Sequence, residues 1–159
     1  KTMVMNIHRT SHPQLYIAEG SIFDFKDGNF DGIIVFLESG FNDINAEYLR
    51  VKESLKESPF PVLSFGNYGE NGYPQHISEF PNRSAAIQFI YTAINQTLST
   101  LASYGCKRIG IHGIRIYGID DYYTEEASLR AINQWVCNHA HSIDFVIAVD
   151  RFNCYARHI

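Results

Sequence analysis

RIGIHGIRIYGIDD, residues 108–121, is the stretch on which the reading of this chain turns. A short apolar run, residues 108–111, leads into a loop that holds Gly113 and Gly118. Asp120 and Asp121 follow, and Thr124, Glu125 and Glu126 then open a helix. Strand, glycine loop and helix in that order place backbone N–H groups and a helix amino terminus at the carboxyl end of a strand, an arrangement that suits an anionic ligand. The spacing is not that of a triphosphate-binding loop, because Ile119 and Asp120 stand where Lys and Ser or Thr are needed. On glycine content alone, a plain tight turn from strand to helix explains the stretch equally well.

Working outward, residues 84–104 read as a helix with Ile87, Ile90, Ile94, Leu98 and Leu101 on one face. Asn82 or Ser84 could cap its start and Gly105 its end. A second helix is expected over residues 124–140, with Thr124 as N-cap and Leu129, Ile132 and Val136 facing inward. Glu125 and Glu126 then favour its first turn, and Asp120 and Asp121 cap and charge the helix start rather than doing acid–base work. Residues 32–37 (GIIVFL) and 145–149 (FVIAV) are continuous, short and β-branched, as buried strands are. Further strands are expected at residues 14–19, 61–65 and 76–80. An edge strand within residues 1–13 should end in a turn at Ser11, His12 and Pro13. Residues 46–57 read as an exposed helix with Tyr48, Leu49, Val51 and Leu55 on its apolar side, and residues 66–74 as a loop. Strands alternating with helices, with central strands apolar on both faces, predict a three-layer α/β/α domain with a mixed, mostly parallel sheet.

The 159 residues suit one domain, and 45% hydrophobic with 19% charged residues is a globular composition. A net charge of -4 and the lack of a basic patch argue against nucleic acid as the main partner. Cys106, Cys137 and Cys154 are odd in number and have no paired spacing, as expected of reduced cysteines in the cytoplasm. No apolar run approaches the ~18 residues of a membrane span, so no membrane contact is expected of this segment. The chain starts with Lys1 rather than Met, which suits a piece of a longer protein whose other parts could include a membrane anchor or effector domains and could form an oligomer.

In such a sheet the strand ends after Leu37, Ile111 and Val149 should converge at the carboxyl edge, where α/β proteins bind ligands. The loops there offer glycine amides, the cation Arg115, the aromatic residues Tyr117 and Phe152, and the amides Asn42 and Asn153. That set suits phosphates plus a stacked base. His112 could serve as a general base, although a lone His ending a central strand is more often a core residue. Cys137, His139 and His141 would point different ways from a helix end, so no metal site is expected. Nor does any Ser or Cys combine with His and Asp as a triad.

The order of elements and three local matches resemble the macro domain family, which binds ADP-ribose. Residues 18–22 (AEGSI) resemble the family's Gly-Asp-Ile turn, and residues 31–35 (DGIIV) its Asp-x-Ile-Val strand. Residues 111–118 (IHGIRIYG) are similar to its second loop, Ile-Ser-Thr-Gly-Ile-Tyr-Gly, whose amides cradle a diphosphate. The resemblance implies a ligand site made by Gly20, Ser21 and Ile22, by Phe36, Leu37 and Asn42, by Gly113, Ile114, Arg115, Ile116, Tyr117 and Gly118, and by Phe152 and Asn153 against the base. Ser21 stands where the family carries an acidic residue that reads the adenine. Residues 35–38 (VFLE) replace the Asn-Ala-Ala-Asn segment of the hydrolases, so that Asn42 or Asn45 could substitute only in a realigned loop. Gly113, Ile114 and Arg115 replace Ser-Thr-Gly, with a large cation where a glycine usually sits.

These departures imply a binder of ADP-ribose or a derivative, with no catalytic residue assigned and no cofactor. It is similar to the sensor that one branch of the bacterial Thoeris antiviral systems pairs with a TIR enzyme. Two alternatives stay open. One is an ADP-ribosyl hydrolase using Asn42, Asp120 or His112. The other is a ligand-free protein-interaction domain using the loop at residues 66–74.

Overall fold

The computed structural model describes residues 6–19, 30–36, 62–65 and 76–150. Among the described residues, six strands form one sheet: β1 (Asn6–Arg9), β2 (Leu15–Glu19), β3 (Gly32–Phe36), β4 (Val62–Phe65), β5 (Arg108–His112) and β6 (Phe145–Asp150). Their spatial order is β1-β2-β6-β5-β3-β4. Every neighbouring pair is parallel except β1 with β2. The sheet is mixed and mostly parallel, as the alternation of strands and helices predicts.

The side chains alternate across this sheet. Leu15, Ile17, Ile34, Ile109, Ile111, Val146 and Ala148 join the core beneath two helices, α1 (Arg83–Ser103) and α2 (Asp121–Asn138). Ala18, Ile33, Ile147 and Val149 are buried as well, outside that cluster. Both faces of the sheet are therefore covered, which is why its central strands are apolar without interruption. The helix expected at residues 46–57, the loop at residues 66–74 and the tail beyond residue 150 lie outside the described residues.

α1 buries Ile90, Ile94, Leu98 and Leu101, and Ile87 packs at the edge of the same cluster. Asn82 caps it by accepting the N–H of Ala85 at 2.8 Å. Gly105 follows the helix at φ 88°, the left-handed position that ends a helix. Trp135 of α2 donates its indole N–H to Ser99 of α1 at 2.9 Å, a partly buried bond that joins the two helices.

Two expectations are corrected. Residues 76–80 do not form a strand. His76 makes a single parallel bridge to Tyr117, and Ile77–Glu79 is one turn of 3-10 helix. His76 accepts the N–H of Ser78, and Glu79 accepts that of His76, so a capping box holds the turn closed. α2 begins at Asp121, three residues before the expected start, and Asp120 rather than Thr124 is its N-cap, accepting the N–H of Tyr122 at 2.9 Å. Thr124 is buried inside the first turn with its hydroxyl on the Asp121 carbonyl.

The amino edge of the sheet is fixed by Asp31. Its carboxylate accepts the backbone N–H of Lys107 at 2.8 Å and of Arg108 at 2.8 Å, and its own N–H bonds to the Arg108 carbonyl. Asp31 thus ties the start of β3 to the start of β5, at the edge opposite the loop that follows β5.

Candidate functional site

β2, β3, β5 and β6 run in one direction, so Glu19, Phe36, His112 and Asp150 end on a single edge. The loop after β5, residues 113–120, rises from the middle of that edge. Ile114, Ile116 and Ile119 are 2%, 0% and 4% exposed and belong to the core beneath the helices. Arg115, Tyr117 and Gly118 between them remain open to solvent to different degrees. The alternation presses one side of the loop into the core and presents the other at the sheet's carboxyl edge.

Three bonds fix the loop. The buried hydroxyl of Ser128 accepts the N–H of Ile114 at 3.0 Å. The N–H of Ile77 reaches the Tyr117 carbonyl at 2.8 Å, and that of Ile119 the Ile116 carbonyl at 3.3 Å. Gly118 sits at φ 93°, and a Cβ there would overlap Cγ2 of Ile77. Both the backbone angle and the space admit glycine alone. The loop is thus fixed by its own backbone and by the core beneath it, with Gly118 exposed and Gly113 half-buried.

Arg115 lies on the presented side. Its Nε is 3.1 Å from Oδ1 of Asp121, and both side chains are about one-third exposed. The guanidinium also stands over the Tyr117 ring, 5.0 Å from its centroid. The loop therefore carries its cation already paired with a carboxylate in the first turn of α2.

His112 ends β5 and is 3% exposed. Burial pulls its imidazole down from the ordinary value of 6.5 to about 4, so it is neutral near pH 7. This is the core-histidine position. Asp120 serves as a helix cap, and the ring of His139 stacks on Trp135 at 4.2 Å.

Of the residues assigned to the site from sequence, Gly113, Ile114, Arg115, Ile116, Tyr117 and Gly118 form one loop at the expected edge. Phe36 closes β3 on that edge. Gly20, Ser21, Ile22, Leu37, Asn42, Phe152 and Asn153 lie outside the described residues. Ile114 and Ile116 serve as anchors, with side chains turned away from the presented surface. Three contributors were not foreseen: Ser128, Asp121 as the partner of Arg115, and Ile77 beneath Gly118. Only Ser128 left a trace, a small polar residue one helical turn before inward-facing Ile132.

No protein-family model matches the chain, and no curated protein matches it. Among solved structures, the macro domain of ganglioside induced differentiation associated protein 2 (GDAP2) is similar, with a TM-score of 0.63 at 15% identity over 91% of this chain and 81% of that one. The fold of this chain is macro-domain-like: a mixed, mostly parallel sheet with helices packed on it.

Proposed function

We propose that this domain binds ADP-ribose or a nucleotide derived from it, with the loop at residues 113–118 receiving the diphosphate. The observation that carries this reading is the construction of that loop. Its isoleucines are sunk in the core, Gly118 is held where only glycine fits, and its backbone is presented at the carboxyl edge of a macro-like sheet. A surface fixed before the ligand arrives loses little freedom on binding, and backbone N–H groups suit phosphate oxygens. Arg115 adds a charge that can approach the same ligand. The burial of His112 favours a binder over a hydrolase that would use it as a base.

Isothermal titration with ADP-ribose, then with amino-acid-conjugated and cyclic derivatives, tests the proposal. Comparable binding of ADP-ribose and its derivatives would make the domain a general reader. Tight binding of one derivative with weak binding of ADP-ribose would favour the narrower role of a signal sensor, of the kind Thoeris systems use. No heat with any of them would overturn the assignment of the loop.

A further inference from the structure

We infer that Asp121 sets the anion affinity of the loop by holding Arg115 in an ion pair, and that a phosphate-bearing ligand binds by taking Arg115 from it. The inference rests on the proposed ligand site, which it deepens by naming a residue that opposes binding. Arg115 and Asp121 meet at 3.1 Å across the turn that leads from the loop into α2. Neither is buried, so the pair is held by a weak, solvent-screened attraction that a stronger anion can replace. A phosphate accepts two parallel N–H bonds from a guanidinium and carries at least as much charge as one carboxylate. Tyr117 keeps the guanidinium plane on the presented side of the loop during the exchange, because Arg115 lies over its ring. Asp121 also brings a negative charge to the place where the ligand's phosphates would arrive. The pair thus has two effects of one sign: it occupies the cation and repels the ligand.

The two effects separate in a double-mutant cycle. ADP-ribose, with inorganic pyrophosphate as a second probe, is titrated into the wild-type chain, Asp121→Asn, Arg115→Ala and the double variant. Asp120 still caps α2 in all four, and circular dichroism checks that each is folded. Asp121→Asn should tighten binding by about fivefold, the scale of one exposed ion pair. The same change made in the Arg115→Ala chain should tighten binding less, through the lost repulsion alone. Equal tightening in both backgrounds would overturn the inference, since Asp121 would then act as a distant charge and not through Arg115. No effect in either background would overturn it too. The Arg115 Nε–H resonance of the ligand-free protein gives a reading independent of any ligand, and it should move on Asp121→Asn. If that shift is seen but no variant binds either probe, the proposed ligand site fails, and the role of the pair in ligand affinity fails with it. If the wild-type chain binds and the resonance does not move, only the inference fails.

Discussion

The hydroxyl of Ser128, fully buried in α2, accepts the backbone N–H of Ile114 at 3.0 Å, and so a side chain in the middle of a helix holds the candidate ligand loop in place. Ser128→Ala would leave that N–H buried without its acceptor. A loss of about 1–3 kcal/mol in chemical denaturation is expected, with faster hydrogen exchange at Ile114 and weaker ligand binding. An unchanged denaturation midpoint together with unchanged exchange would show that the loop is held by other means.

Phe30 lies against the backbone of β5 at Gly110, where a Cβ would come within 2.9 Å of the ring. The ring is 1% exposed and has little room to retreat. Gly110→Ala should therefore destabilise the domain by about 1–3 kcal/mol, as overpacking does. Shrinking the neighbour should return part of that loss, so Phe30→Leu and Gly110→Ala should be less than additive when combined. Simple additivity of the two losses would mean that the ring and the strand do not press on each other.

The buried imidazole of His112 makes stability depend on pH in a defined direction. In the fold its pKa is lowered to about 4 from the ordinary 6.5. The unfolded chain takes up a proton below about pH 6.5 that the folded chain refuses. The contribution is full above pH 6.5 and is lost as the pH falls toward 4. Across that window the melting temperature of wild type should fall more steeply than that of His112→Leu. Parallel curves would show that His112 is protonated equally in both states.

The central strands were legible because burial on both faces writes them as unbroken apolar runs rich in Ile and Val, as in residues 32–36 and 145–149. The buried face of α1 was legible from its 3.6-residue period, and Asn82 from its type and place. Residues 76–80 misled because Ile77 and Phe80 look like strand residues, while the capping box of His76 and Glu79 closes a turn instead. The start of α2 was misplaced because Thr124 is a good cap by type, yet its hydroxyl turns inward to the Asp121 carbonyl. The presented loop was located from its glycines and its place after a strand. Its supports were not, because Ser128 and Ile77 are far from it in sequence, and the pairing of Arg115 with Asp121 depends on how the turn between them is folded.

The strand order has a bearing on how the domain can be made. β2 and β3 are both finished by residue 36, yet they never touch, because β6 and β5 stand between them. With synthesis reaching Phe65, the described residues can offer two separate strand pairs, β1 with β2 and β3 with β4. β5 extends one pair, and only β6, ending at Asp150, joins the halves. A nascent chain halted short of Phe145 would leave the edges of β2 and β5 open for the same missing strand, the kind of edge on which chains pair wrongly.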